Sequence, residues 1–217
     1  MRFETGVGFS MYWKISRRKI ASARTHTFEL LRRLITASPH AIHAWLRQTD
    51  KRRWSNARSF KPSWESRNAL IASYIAPYSS VMDLGCGEMR LAQHLREGCT
   101  YQPVDLVMRS PDTIVCDFNR GEFPPDRKYD VIVCSGLIEY IYDLDGFIRK
   151  IVSCGTRAII TYSSVDAFPE RSLRLQNGWV NSLSGDALIA LFHQHGATLA
   201  RRERTSVGQD LFEFVWS

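Results

Sequence analysis

Short apolar runs alternate along this chain with segments whose apolar positions recur every three or four residues. Val81 to Leu84, Tyr101 to Val104, Thr113 to Cys116 and Tyr129 to Cys134 each read as a brief buried strand. Between and around them lie helical patterns. Trp64 to Ala76 precedes the first strand with Ser63 as its cap, and Leu91, Ala92 and Leu95 share one face after it. Leu144, Phe147, Ile148, Ile151 and Val152 mark a helix over Asp143 to Ser153, and Ala158 to Tyr162 reads as strand five. Ser184 caps a further helix through about Gln194, which Gly196 ends. The strands around Thr198 to Arg204 and Asp210 to Trp216 form a hairpin joined at Val207-Gly208. Strand alternating with helix predicts an α/β domain with a mostly parallel sheet. The long stretch 163–183, with Pro169, Asn177-Gly178 and Trp179, is expected to be a loop without structure of its own, and such loops tend to be functional.

The N-terminal quarter has a different character. Residues 1–26 give no clean period. From Thr27, helical spacing of Phe28, Leu31, Leu34 and Ile35 predicts one helix, and Ile42, Trp45 and Leu46 a second after Ser38-Pro39. Lys51 to Pro62 reads as a basic connector. Residues 1–60 are therefore expected to be a basic helical extension on a catalytic-sized domain, 61–217.

Charge sharpens that division. The net +7 of the 217 residues splits into +10 for residues 1–60 and −3 for the remainder. The extension could pack as a lid over the domain, lie on an anionic membrane surface through residues 1–60 with Trp13, Trp45 and Trp54 interleaved among its cations, or grip nucleic acid. Nucleic acid has less support, because the mildly acidic body is not an obvious binder of it. No apolar run is long enough to span a bilayer and no signal-like apolar stretch opens the chain, so a cytoplasmic protein, peripheral at most to the inner face of the membrane, is expected. The five cysteines form no Cys-x-x-Cys pair and read as reduced core residues, with no metal site.

The densest chemistry follows the first strand. Val81-Met82-Asp83-Leu84-Gly85-Cys86-Gly87 ends a strand in Asp-x-Gly-x-Gly, a bend that glycine makes easily and that brings bare backbone against a ligand. Asp105 stands twenty positions after Gly85, at the end of strand two, where a dinucleotide fold places the carboxylate that binds ribose hydroxyls. Asp117 ends strand three, and strand four runs into Ser135-Gly136-Leu137-Ile138-Glu139-Tyr140. A nicotinamide dehydrogenase would need a third glycine at position 90, where Arg90 stands, and Glu88 would repel a pyrophosphate.

Together these features resemble the class I S-adenosylmethionine-dependent methyltransferases over about 64–217. The resemblance implies a Rossmann-like seven-stranded sheet, mostly parallel with an antiparallel last strand and flanked by helices, and S-adenosylmethionine as cofactor. It implies that the carboxylate of Asp83 orders the turn and that the Gly85-Cys86-Gly87 backbone lies against the methionine part of the cofactor. Asp105 would hold the ribose, Asp117 the adenine amino group, and the Phe118 amide the ring; Cys134 and Ser135 would flank the cofactor beside the methyl group, and Arg67 would face its carboxylate. Met89 stands where the family commonly has a third glycine, and Tyr140 where many relatives have His.

Methyl transfer is an in-line displacement, so positioning and dryness dominate and a base serves mainly a hydroxyl acceptor. Acceptor-facing groups are expected at the carboxyl ends of strands four and five. Glu139 and Tyr140 come first there as catalytic candidates, with Tyr162, Ser163 and Asp166 next. Glu139 would orient an acceptor hydroxyl or else cap a turn, Asn177 and Trp179 would meet a sugar or else anchor their loop, and His193 and His195 read as surface residues. The layout of Trp64 to Arg67 and Asn177-Gly178-Trp179 is similar to small bacterial methyltransferases of glycan assembly. Transfer to a small-molecule or glycan hydroxyl is the expectation. The alternatives are a nucleic-acid methyltransferase, whose Asn/Asp-Pro-Pro-aromatic motif is missing after strand four, and a non-catalytic binding module on the same scaffold.

Overall fold

The computed structural model describes His43 and residues 46–217. The two helices expected between Thr27 and Leu46 lie outside the described residues, apart from the end of the second.

A seven-stranded sheet runs in the order β3-β2-β1-β4-β5-β7-β6. Its strands are β1 (Ser80–Leu84), β2 (Thr100–Asp105), β3 (Ile114–Val115), β4 (Val131–Ser135), β5 (Arg157–Tyr162), β6 (Thr198–Arg204) and β7 (Asp210–Val215). The first five pair in parallel, while β7 runs antiparallel to both β5 and β6. The chain builds outward from β1 to β3, then returns to β1's other side with β4. The crevice opens where that order reverses, outside the carboxyl ends of β1 and β4.

Each central strand is apolar on both faces because helices or turns cover both. Met82, Leu84, Ile132, Cys134, Ile160 and Phe212 face one core. It is roofed by α3 (Leu144–Ser153) and α5 (Gly185–Gln194) through Phe147, Ile148, Ile151, Leu188 and Phe192. The alternate positions Val81, Val131, Val133, Ile159 and Leu211 face a second core under α2 (Glu65–Ser73), which contributes Ile71 and Ala72. Both helices of the first core start as the sequence suggests, with Asp143 accepting from Gly146 N and Ser184 from Ala187 N.

Four local expectations change. Ser63 does not cap α2: it sits inside a 3₁₀ turn, Pro62–Trp64, and Trp64 holds the cap position without a side-chain bond. The helix expected after the glycine bend is a 3₁₀ turn, Arg90–His94. Met89 adopts a left-handed backbone that no α-helix can include, and the chain is extended again at Leu95, so too few residues remain. The supposed connector carries α1 (Lys51–Trp54), capped by Asp50, and a 3₁₀ turn, Ala57–Ser59, capped by Asn56. The 163–183 stretch contains α4 (Arg171–Gln176) and is fastened by a buried arginine. Arg174 donates to Ser163 O at 2.7 Å and Asn181 O at 2.5 Å, and Asn181 Nδ2 donates to Ile138 O and Ile141 O at 2.7 Å each.

Candidate functional site

A cavity of about 330 Å³ occupies the crevice at the switch point. Its floor is the Gly85-Cys86-Gly87 bend. Gly85 N and Cys86 N donate to Val104 O at 2.8 and 3.1 Å, and Gly87 N donates to Asp105 Oδ2 at 2.8 Å. The bend is thus tied to β2 and its terminal carboxylate. Asp83 instead accepts from Tyr101 Oη at 2.7 Å, while its Oδ1 is buried without a partner. Gly87 has φ +54°, and a Cβ there would lie 2.7 Å from Phe60. Any side chain would be strained and would strike the ring closing over the bend.

The expected cofactor residues converge here. Arg67, Asp83, Gly85, Cys86, Gly87, Asp105, Asp117, Phe118 and Ser135 all line the cavity, as do Glu139 and Tyr140. Cys134 does not. Its side chain points to the α3 side of the sheet and is fully buried in that core, because it alternates with Val133 and Ser135 along β4, so only Ser135 of that pair presents a side chain to the cavity.

Asp105 Oδ1 accepts from Val107 N at 3.0 Å and from Arg109 Nη2 at 3.2 Å. Asp117 Oδ1 accepts from Asn119 N at 3.1 Å and Thr49 Oγ1 at 2.7 Å. Phe118 is wedged against Phe147 of α3, centroids 5.1 Å apart, which fixes the loop after β3. Asn119 Nδ2 donates to Tyr140 O and its Oδ1 accepts from Tyr142 N, tying that loop to the Glu139-Tyr140 turn.

The acceptor end is built from β4, β5, β7 and the 163–183 loop. Glu139 is 1% exposed, and its Oε1 accepts from Ser163 N at 2.8 Å and Gln209 Nε2 at 2.9 Å. Its Oε2 is buried without a partner. Tyr140 Oη accepts from Trp179 Nε1 at 3.1 Å, and burial pushes its phenol up, so it stays neutral. Ser163 lines the cavity as expected, but two other expected residues are turned to structural work. Tyr162 is fully buried with its hydroxyl accepting from Leu183 N at 2.9 Å, and Asp166 accepts from Gly185 N at the start of α5. His195 meets Asp145 at 2.9 Å at the surface, away from the cavity. Asn177 and Trp179 both reach the cavity wall; Asn177 O also accepts from Arg53 Nη1 at 2.7 Å, and Trp179 stacks edge-on to Phe168.

Sequence reading offered the N-terminal segment as a lid but did not assign Trp54, Phe60 or Trp64 to the cavity, and it missed Gln209. Trp54 packs edge-on to Tyr140 at 5.0 Å and tilted on Phe60 at 6.0 Å, and Phe60 meets Trp64 at 6.2 Å. Arg109 Nη2 donates to Trp54 O at 2.6 Å, so one guanidinium ties the roof to Asp105. The interleaved aromatics of the connector were the available signal. Gln209, between a hairpin glycine and a strand, carried none.

Burial lifts the Asp83 carboxyl to about 7 and lowers Arg67 to about 10, against the pull of Glu139 and Asp83. Buried polar atoms without partners are expensive in a finished core. Here Arg67 Nε, Asp83 Oδ1, Arg109 Nε, Ser135 Oγ and Glu139 Oε2 all belong to residues of this one wall. Such a wall suits a ligand with donors and acceptors of both signs, an adenosyl amino acid among them. Among the described residues no cluster of His, Cys, Asp and Glu could hold a metal ion, and no helix is long and apolar enough to cross a membrane.

The model of a family described as a methyltransferase domain matches residues 26–201. No curated protein matches the chain. Among solved structures, it is similar to CalO1, a methyltransferase in calicheamicin biosynthesis in its SAH-bound form, at 19% identity and TM-score 0.56, over 71% of this chain and 54% of that one. The chain thus spans about half the length of that protein. It is also similar to the 1,6-didemethyltoxoflavin-N1-methyltransferase of Burkholderia thailandensis with bound 1,6-didemethyltoxoflavin and S-adenosylhomocysteine (13% identity, TM-score 0.56, 100% of this chain and 93% of that). A third likeness is to magnesium protoporphyrin IX methyltransferase from Synechocystis PCC 6803 with bound SAH (18%, TM-score 0.55, 71% and 82%). At these identities the likeness is one of fold.

Proposed function

The chain belongs to the methyltransferase domain family, and from that premise we propose that it uses S-adenosylmethionine to methylate a hydroxyl of a small molecule in the cavity at the β1/β4 switch point. The observation that carries this reading is the wall of partnerless buried polar atoms around the glycine bend.

When bound, the cofactor supplies a methyl group on a positively charged sulfur, open to in-line attack by a lone pair. The chain's residues do the rest. Asp105 and Asp117 would accept hydrogen bonds from the ribose and the adenine amino group, with the Phe118 amide meeting the ring. Arg67 would face the cofactor carboxylate, the Gly85-Cys86-Gly87 backbone would hold its amino-acid part, and Ser135 would flank it beside the methyl group. Glu139 accepts the hydroxyl of the acceptor on Oε2 and takes its proton as the oxygen–carbon bond forms. Ser163 N and Gln209 Nε2 fix the carboxylate's other oxygen, so this second lone-pair edge is held in place. Tyr140 and Trp179 wall the acceptor, and the Trp54 and Phe60 rings exclude water from it.

An aromatic-walled cavity fits a flat ring better than an extended glycan, which makes a small molecule the favoured acceptor, and the small-molecule enzymes among the structural neighbours support that choice. Within the basic extension 1–60, residues 49–60 then serve the site directly, and contact with an anionic membrane surface falls to the residues before them. The test is incubation with S-adenosylmethionine and a panel of phenolic and sugar hydroxyl acceptors, read by mass spectrometry as addition of one methylene. Phenolic product is expected, with Glu139→Gln slowing its formation roughly 10²-fold or more. Transfer confined to nitrogen or sulfur acceptors, or an undiminished rate in the variant, overturns the proposal.

A further inference from the structure

Gln209 stands immediately before β7. Because β7 runs antiparallel to β5, this position lies at the carboxyl end of β5, beside the cavity. The side chain is buried between two opposite charges. Arg67 Nη1 donates to its Oε1 at 2.6 Å, and its Nε2 donates to Glu139 Oε1 at 2.9 Å and Ser163 Oγ at 3.1 Å. A guanidinium can only donate and an ionised carboxylate only accept, so the neighbours dictate which way the amide points. Few side chains offer an acceptor and a donor at that reach.

The arrangement is costly unless it has a use. Glu139 attracts the Arg67 guanidinium. Buried charges of opposite sign gain most by closing into a direct, bidentate pair. They do not close here, because an amide stands between them. Each keeps a buried polar atom unpartnered, Nε on Arg67 and Oε2 on Glu139. Gly136 supports the placement from the other side: a Cβ there would come within 2.8 Å of Arg67 Nη1.

We propose that Gln209 is a positioning residue, a neutral spacer that stops Arg67 and Glu139 from neutralising each other. It keeps the guanidinium available to the carboxylate of the cofactor's amino-acid end and the Glu139 carboxylate available to the acceptor. The proposal rests on the roles given to Arg67 and Glu139 above.

Two probes separate the spacer from a merely structural glutamine. S-adenosylhomocysteine carries the amino-acid end, and 5′-methylthioadenosine lacks it. By calorimetry on the full chain, Gln209→Met is expected to bind S-adenosylhomocysteine roughly tenfold more weakly while methylthioadenosine affinity stays within about twofold. Adding Glu139→Gln removes the charge that captures Arg67. The double variant is therefore expected to regain S-adenosylhomocysteine affinity, which damage to the fold would not allow. Should Gln209→Met fail to fold, Gln209→Asn, too short to span both partners, is expected to give the same pattern. Unchanged S-adenosylhomocysteine affinity, equal loss for both probes, or no recovery in the double variant overturns the spacer. Arg67→Met tests the layer beneath. If it leaves S-adenosylhomocysteine affinity unchanged, the assignment of Arg67 falls and takes the spacer with it; if it weakens binding where Gln209→Met does not, only the spacer falls.

Discussion

Met89 carries φ 55°, a left-handed backbone that costs an L-residue roughly 1–2 kcal/mol. A glycine would adopt this conformation freely, so the fold absorbs a strain that glycine would avoid. Asp83 has a cost of another kind. Burial lifts its carboxyl from 3.8 to about 7, so across that window the folded protein holds a proton the unfolded chain releases. Stability therefore falls as pH rises from about 4 to 7, and the penalty is complete above it. Asp83→Asn can still accept from Tyr101 Oη and has no carboxylate to ionise. Its melting temperature relative to the native protein is expected to rise between pH 5 and pH 8. A difference that is flat or falls with pH would show that Asp83 is already ionised in the fold at low pH. Residue identities at the site were legible where they sit in a motif, as with Gly85, Gly87, Asp105 and Asp117. The exceptions are instructive. Cys134 was placed by its neighbour in sequence, yet strand alternation turns it into the core; Arg174 matters through carbonyls that its own folded loop brings round it, and Gln209 through Arg67 and Glu139, far away along the chain.

At the scale of elements, the strands were legible because apolar runs of four to six residues have few other uses, and α3 and α5 because their faces repeat cleanly and their caps are conventional. The segment 49–64 was not. Its helical turns are three or four residues long, capped by Asp50 and Asn56, and carry no period to detect. What holds them is tertiary: Arg109 on Trp54 O, Thr49 on Asp117, Arg53 on Asn177 O, and the Trp54, Phe60 and Tyr140 rings on one another. One of these bonds ends on Asp117, and the Arg109 guanidinium that holds Trp54 O also donates to Asp105 Oδ1, so the roof shares anchors with the acids assigned to the adenine and the ribose. A bound nucleoside should then leave only when the roof lifts. Trp54→Ala is expected to speed S-adenosylhomocysteine release roughly tenfold in stopped-flow displacement, by removing contacts worth about 1 kcal/mol or more. Release at the native rate would mean that the roof does not cover the ligand.

The whole molecule places its chemistry where topology reverses. Two cores, one under α3 and α5 and one under α2, leave the sheet apolar through its thickness and push polar groups to the carboxyl ends of the strands. The outer strand β6 protects the sheet's open edge with charge: Arg201, Arg202 and Arg204 pair with Glu213, Asp186 and Asp210. A mostly parallel sheet and a closing hairpin could be read from the alternation of patterns, the antiparallel last strand was implied by the family resemblance, and the strand order was not legible. Nor could the depth of the cavity be read, since it depends on side chains from segments far apart in the chain, such as Phe60 and Gln209, meeting around the bend. The central claim is that the adenosyl cofactor lies in this cavity, and a crystal structure of the protein with S-adenosylhomocysteine tests it most directly. The expected result is ligand density along the Gly85-Cys86-Gly87 backbone, ribose hydroxyls on Asp105 and the adenine amino group on Asp117. Density at another place on the molecule, or a ligand here whose ribose and base avoid both carboxylates, would contradict it.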